Sequence, residues 1–155
     1  MTDETAALAA ELVAARADFM AALDAFEPAR LSSPRLVGDW GARELVAHLG
    51  YWAGHAVEVI HAVEEGRDAE VVVGPSVDER NETVARIARQ TDLATARKRE
   101  AASAQALLER LTLIDPTLLS ERLPDGATLA QGIREDGPEH YREHMADLRA
   151  AVDDR

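Results

Sequence analysis

The chain has 155 residues, the length of one ordinary domain, so we expect a single globular unit over residues 1–155. Its 29 acidic and 17 basic residues give a formal net charge of -12, which repels phosphate backbones and anionic membrane surfaces and argues against nucleic-acid binding. Cysteine is absent, so the chain supplies no thiol nucleophile, thiolate ligand or disulfide. Met1 to Glu4 are unlike a signal peptide and no apolar run approaches the length of a membrane span, so we expect a cytoplasmic protein with no membrane partner.

The first predicted element is a long amphipathic helix from Asp3 to Glu27. Its large apolar residues recur at three-, four- and seven-residue steps on an alanine-rich background, which is the spacing of one helix face. Pro28 ends this helix. The segment that follows it, up to Asp39, is rich in proline and serine, so we predict a connection there.

A second helix is predicted from Asp39, which we expect to be its N-cap, to a stop at Gly66. Its inner face consists of apolar residues and one histidine: Leu45, His48, Leu49, Trp52, Val59, Ile60 and Val63. The β-branched run Val71–Val73 comes next and has no obvious partner strand, so we interpret it as loop.

The third helical region begins after Ser76, because Ser76 and Glu79 have the spacing of a capping box. Residues 77–113 contain no glycine or proline that would end a helix. Thr91 and Asp92 can nevertheless cap a new segment, so this region is either one long helix or two helices joined by a kink.

The last helical region runs from Thr128 to Val152, after a stop at Asp115-Pro116 and a turn at Asp125-Gly126. Gly137-Pro138 interrupts its pattern, and we expect the regular part to begin with Pro138 at the first helical position. Four helical regions with a long second connection and no internal repeat predict an all-α protein, an antiparallel four-helix bundle.

Three histidines are the candidate metal ligands of this bundle. His140 and His144 are four residues apart on a predicted helix, so their imidazoles point the same way and can bind one ion. His48 lies between Leu45 and Leu49 on the apolar side of the second helix, where an imidazole without a partner is unfavourable. Three neutral histidines leave coordination positions open, which is typical of catalytic rather than structural metal sites.

Simpler interpretations of the histidines stay open. A pair such as His140 and His144 is common on exposed helices, and His48 alone is more often a hydrogen-bonded core residue. His55 shares a face with His48 but lies about 10 Å further along the helix axis, too far to bind the same ion. We interpret His55 and His61 as polar or surface residues.

Aromatic and charged residues elsewhere have two interpretations each. Trp40, Tyr51 and Trp52 cluster around His48 in the sequence, either as the lining of a pocket or as ordinary core, with Trp40 packed against the start of the helix. The charged run Arg97–Glu100 is interpreted as a solvated helix face.

The segment from His140 to His144 also matches the H-x-x-E-H signature of inverzincin proteases, with Glu143 as general base. That class needs a larger mixed fold and a further carboxylate ligand, whereas only eleven residues follow His144, so we regard the match as accidental. Glu139 and Glu143 flank the histidines either as hydrogen-bonding partners of the ligands or as surface charges.

Two segments of the chain resemble the DinB/YfiT-like superfamily, which includes the mycothiol-dependent maleylpyruvate isomerase N-terminal type. One segment is similar to the tryptophan-led second helix of that superfamily: Asp39-Trp40-Gly41-Ala42-Arg43-Glu44-Leu45-Val46-Ala47-His48-Leu49. The other is similar to its last-helix motif: His140-x-x-x-His144. The order of helical regions is similar over nearly the whole chain. The resemblance implies a DinB/YfiT-like bundle with a divalent metal, zinc or nickel, on His48, His140 and His144.

The resemblance also implies a reaction class, a thiol S-transferase or isomerase. A low-molecular-weight thiol (mycothiol, bacillithiol or glutathione) would be the cosubstrate, and an electrophilic small molecule would be the substrate. Two alternatives remain: a metal-dependent hydrolase that uses bound water, and a non-catalytic bundle that binds a small ligand. No catalytic residue is assigned, and an alanine-rich bundle is also compatible with a homodimer.

Overall fold

The computed structural model describes residues 3–68, 70 and 74–153, and the predicted loop Val71–Val73 lies outside this part of the chain. The helices are α1 (Asp3–Asp24), α2 (Pro28–Leu31), α3 (Ala42–Glu64), α4 (Val77–Ala88), α5 (Leu93–Leu113), α6 (Leu129–Arg134) and α7 (His140–Asp153). Within these residues there is no strand, only two isolated bridges, and no helix has the length and apolar character that crossing a bilayer requires. The prediction of an all-α four-helix bundle is confirmed.

The break between α4 and α5 follows from local hydrogen bonds. The Asp92 carboxylate accepts a hydrogen bond from the Thr95 backbone N–H at 2.7 Å and so caps a new helix. Ser76 and Glu79 form the predicted capping box at the start of α4, with Ser76 N–H donating to Glu79 Oε2 at 2.8 Å. The third helical region is therefore two helices, which decides between the two predicted alternatives.

The predicted N-cap of α3 was wrong by two residues. Asp39 is exposed and belongs to a tight turn in which Trp40 N–H donates to the Val37 carbonyl at 3.0 Å. Gly41 is the N-cap instead, and its N–H donates to the Glu44 carboxylate at 2.7 Å. Because Asp39, the predicted helix start, is part of this turn, the helix begins two residues later than predicted.

Helices α3 and α5 run in the same direction. Gly50 faces Glu100 near the middle of both helices, and Glu64 forms an ion pair with Arg110 further along both at 3.3 Å. The connection from α3 to α5 must therefore return along the bundle, and α4 makes this return while packing on α3.

Helix α1 runs opposite to α5, because Arg16 pairs with Glu100 whereas the later Asp24 pairs with the earlier Arg97. The fourth member of the bundle is α6 together with α7, which packs beside α1 and α3. Helix α7 runs opposite to α3, because His48 meets His140 whereas the later His55 contacts the earlier Asp136, so two helices run in each direction. The core between them is apolar and includes Leu8, Leu12, Phe19, Leu23, Leu45, Leu49, Ile60, Leu107, Leu111, Leu129, Ile133 and Leu148.

A π-helical turn, Glu135–Glu139, joins α6 to α7. The sequence predicted that the helical pattern is interrupted at Gly137-Pro138. Gly137 has non-helical dihedral angles, φ -109° and ψ -106°, so two helical segments meet there at a kink directly before Pro138, which agrees with the prediction.

Glu100 corrects the interpretation of the charged run on α5. Its side chain is 0% exposed, and its carboxylate accepts hydrogen bonds from Arg16 at 2.6 and 2.8 Å and from the Tyr141 hydroxyl at 2.5 Å. The carboxylate is thus held inside the bundle by a guanidinium and a phenol. Burial is the main cause that raises the pKa of Tyr141, followed by the neighbouring charge of Glu100, so the phenol remains a donor.

Candidate metal centre

The three predicted ligand histidines meet between α3 and α7. One ring nitrogen of each lies within 4.8 Å of the others, and the Nε2 atoms of His48 and His140 are 2.7 Å apart. The ring centroid of His144 lies 4.9 Å from the ring centroid of His48 and 5.0 Å from the ring centroid of His140. His48 is 5% exposed, so the cluster faces the interior of the bundle. Within the described residues, these three histidines are the group of potential ligand side chains that lie close enough together to hold one metal ion.

Local structure explains how two helices present these rings. His48 is in the middle of α3 with Leu45 and Leu49 buried beside it, so the apolar face of the helix directs it inward. His140 and His144 occupy the first turns of α7, one helical turn apart on one face. The kink at Gly137 separates this helix from α6.

The surroundings of the rings oppose protonation. Burial, followed by the neighbouring charges of His140 and His144, lowers the pKa of His48 to about 3. Burial, followed by the charge of His144, lowers the pKa of His140 to about 4. Both rings are therefore neutral near pH 7, and each keeps the lone pair that metal coordination requires.

Asp147 orients one of the three rings. Its Oδ2 lies 2.8 Å from Nδ1 of His144, which leaves the other ring nitrogen of His144 for the cluster. Glu139 and Glu143 are exposed, and neither hydrogen-bonds to a histidine ring within the described residues. Asp147 was not predicted from the sequence, although its position three residues after His144 on a predicted helix was a usable signal.

Two tryptophans adjoin the histidines. The Trp40 ring centroid is 4.8 Å from that of His48, and the Trp52 ring centroid is 6.3 Å from that of His140. Trp52 is buried, and its Nε1–H donates to Asn81 on α4 at 2.9 Å. Tyr51 instead hydrogen-bonds to Arg80. The tryptophans thus both pack in the core and border the histidine cluster, which combines the two predicted interpretations.

His55 does not join the cluster, as the helix geometry predicted. Its Nδ1 lies 2.7 Å from Oδ2 of Asp136 in the π turn, and its ring packs edge-on against Trp52 at a centroid distance of 5.0 Å. His61 is more exposed and lies 3.4 Å from Glu64. The sequence could not predict the contact of His55 with Asp136, because 81 residues separate the two.

The histidine cluster fits a small divalent ion. Around a tetrahedral ion with metal–nitrogen distances of about 2.0–2.1 Å, ligand nitrogens lie about 3.3 Å apart, so His48 and His140 need to open by less than about 1 Å. The nitrogen of His48 that faces the cluster is Nε2, and Nδ1 of the same ring is buried without a hydrogen-bond partner within the described residues. Neutral imidazoles suit zinc and nickel, and three of them leave positions open for an exogenous ligand.

The fold and the cluster together define a class: four-helix bundles that present inward histidines from different helices. The chain belongs to the family described as the mycothiol maleylpyruvate isomerase N-terminal domain, whose sequence profile matches residues 12–134. The matched range includes His48 and ends before His140 and His144. The resemblance inferred from the two motifs is confirmed at the level of family.

A solved structure described as the mycothiol-dependent maleylpyruvate isomerase has the same fold. Its TM-score with this protein is 0.75 at 16% sequence identity, over 96% of this chain and 63% of that chain. The protein thus spans less than two thirds of the length of that relative. No curated protein matches the chain.

Proposed function

We propose that this protein is a divalent-metal-dependent enzyme that transfers a low-molecular-weight thiol to an electrophilic small molecule or uses the thiol to isomerise it. The observation that carries the proposal is the cluster of His48, His140 and His144, whose ligand atoms lie within 4.8 Å of one another. Zinc or nickel is the metal that this donor set suits.

The residues around the cluster have separable roles in this proposal. A bound divalent ion would supply Lewis acidity that lowers the pKa of a coordinated thiol. His48, His140 and His144 would hold the ion, and Asp147 would keep the ring of His144 oriented for it. Because the chain contains no cysteine, the sulfur nucleophile has to enter as a cosubstrate.

Mycothiol is the thiol that we propose first. The family description and the solved structure both name mycothiol, and the bundle matches that structure over 96% of the present chain. The substrate is proposed to be a small electrophile, since the net charge of -12 opposes a nucleic-acid substrate.

The test is a thiol-dependence assay with metal-loaded protein prepared without a histidine tag. Mycothiol, bacillithiol and glutathione are each offered with activated alkenes, epoxides and organic halides, and products are followed by mass spectrometry. We expect conjugation or isomerisation that needs added thiol and is lost in His144→Ala. Absence of thiol-dependent product with all three thiols contradicts the proposal. Turnover without thiol would select a hydrolase, and ligand binding without turnover would select a non-catalytic bundle.

The proposal also includes cytoplasmic location and assembly as a homodimer, both expected from the sequence. A metal-activated thiol is compatible with a reducing compartment, and the chain has no disulfide to form. Light scattering coupled to size-exclusion chromatography tests the dimer: a mass of one chain at micromolar concentration contradicts it.

A further inference from the structure

A second histidine–carboxylate pair lies on the same helix as His48. Nδ1 of His55 contacts Oδ2 of Asp136 at 2.7 Å, and both side chains are largely buried, at 15% and 21% exposure. Nε2 of His55 has no hydrogen bond within the described residues. In a neutral imidazole, a carboxylate next to Nδ1 keeps the ring proton on that nitrogen, so Nε2 is the nitrogen with the lone pair that can accept a proton.

The pair is placed between the histidine cluster and a cavity. The ring of His55 packs on Trp52, and Trp52 in turn adjoins His140. His55 also lines a cavity of about 470 Å³ and a smaller one of about 110 Å³, so it borders space that a small molecule can occupy. His48 and His55 are two helical turns apart, about 10 Å along α3, which is the span of a substrate rather than of one metal coordination sphere.

The local structure holds Asp136 in place. The residue directly precedes Gly137, where the chain kinks between α6 and α7. Burial raises the pKa of Asp136, while the hydrogen bond from His55 lowers it. The pKa of Asp136 is raised overall, so the hydrogen bond from His55 offsets only part of the effect of burial. The His61–Glu64 pair on the same helix lacks these features, because its contact is 3.4 Å and His61 is 46% exposed.

We propose that His55 is a further catalytic residue, a general acid–base that Asp136 positions, for the addition of the thiol to an activated alkene. This inference rests on the proposed function. When thiolate sulfur bonds to one alkene carbon, the π bond breaks and its electron pair moves towards the conjugated carbonyl. Nε2 of His55 first accepts the proton that the thiol releases and then gives this proton to the atom that receives the pair. His55 thereby returns to its starting form, and the product carries both thiol sulfur and thiol hydrogen.

The experiment compares metal-loaded wild type with His55→Gln, Asp136→Asn and the control Asp24→Asn, which changes an exposed carboxylate in an ion pair with Arg97, using mycothiol and an α,β-unsaturated ketone. We expect His55→Gln and Asp136→Asn to bind metal like the wild type and to lose about 100-fold or more in turnover. The control should stay within about twofold of the wild type. Nitrogen-15 NMR of the wild type should show neutral His55 with its proton on Nδ1, and Asp136→Asn should move that proton to Nε2.

Each other outcome is decisive. Wild-type turnover in metal-loaded His55→Gln overturns the inference and leaves the proposed function standing. A wild type that gives no thiol-dependent product with any of the electrophiles overturns the proposed function and this inference with it. A neutral His55 that carries its proton on Nε2 overturns the dyad by itself, without any activity measurement and without reliance on a variant that folds.

Discussion

His48 and His140 are buried bases that the fold keeps neutral. Their pKa values of about 3 and about 4 lie below the ordinary histidine value of 6.5, chiefly because burial penalises the charged ring. Protonation of either ring would also place a positive charge where a cation is proposed to bind. Acid should therefore oppose both metal binding and folding.

The first prediction concerns the stability of the metal-free protein. Because the folded-state pKa values are lowered, the unfolded chain takes up protons first as pH falls. The two neutral rings make their full contribution to the free energy of unfolding above pH 6.5. This contribution is lost as the pH falls towards about 4 for His140 and about 3 for His48. Between pH 7 and pH 5 we expect urea denaturation to show a loss of about 2 kcal/mol for each ring. The loss should be smaller in His48→Gln, and an equal loss in that variant contradicts the assignment.

The second prediction separates Asp147 from the exposed acidic residues nearby. Asp147→Ala removes the hydrogen-bond partner of His144, so we expect metal affinity to fall by about 10- to 100-fold. Glu143→Ala is the matched control, because Glu143 is exposed on the same helix and should leave the affinity unchanged. Competition with a chromophoric chelator measures both affinities. Equal affinities in the two variants would remove Asp147 from the site.

At the scale of elements, the close approach of α3 and α5 depends on a glycine. A Cβ atom on Gly50 would lie 2.8 Å from Cα of Glu100, so only glycine allows this packing distance. The same approach brings Glu100 to Arg16 and Tyr141 inside the bundle. The buried ion pair and the helix contact are therefore parts of one packing arrangement.

The third prediction uses two glycines of α3. Gly50→Ala should destabilise the protein by about 1–3 kcal/mol, because the new methyl group meets backbone and the two helices must separate. Gly54→Ala meets only the Ser103 hydroxyl at 3.6 Å, so the better helix propensity of alanine should leave stability equal or up to about 1 kcal/mol higher. Urea denaturation of both variants checks this. A Gly50→Ala variant as stable as the wild type contradicts the described packing.

Features that depend on contacts between neighbouring residues could be predicted from the sequence, whereas features that depend on contacts between distant residues could not. The capping box of Ser76 and Glu79 and the stop at Gly66 depend on neighbouring residues, and both were predicted from sequence. The burial of Glu100 was missed, because its partners Arg16 and Tyr141 are 84 and 41 residues away. Periodicity shows which face of a helix is charged, but it does not show that a distant guanidinium neutralises one charge.

At the scale of the whole molecule, the candidate site depends on helices from both halves of the chain. His48 comes from α3, whereas His140 and His144 come from α7, after the end of the range that the family profile matches. Sequence could predict this ligand set because the i,i+4 spacing and the apolar setting of His48 are local signals. The kink at Gly137 was also predicted, from the Gly137-Pro138 pair, whereas the contact of Asp136 with His55 could not be, because 81 residues separate the two.

The fourth prediction is that residues 1–155 unfold as one domain. Because α1, α3, α5 and α7 share one core, thermal unfolding should be a single transition with equal calorimetric and van't Hoff enthalpies. Added zinc should raise the transition temperature of the wild type, since a ligand that binds only the folded state stabilises it. Two separate transitions would contradict a single domain.

The central claim is that His48, His140 and His144 form one metal site, and metal content tests it most directly. Protein purified without a histidine tag is analysed for bound zinc and nickel by inductively coupled plasma mass spectrometry, next to His144→Ala and the control Glu143→Ala. The proposed site predicts about one ion per chain in the wild type and in Glu143→Ala, and a large loss in His144→Ala. Metal well below one ion per chain in the wild type, or unchanged metal in His144→Ala, would contradict it.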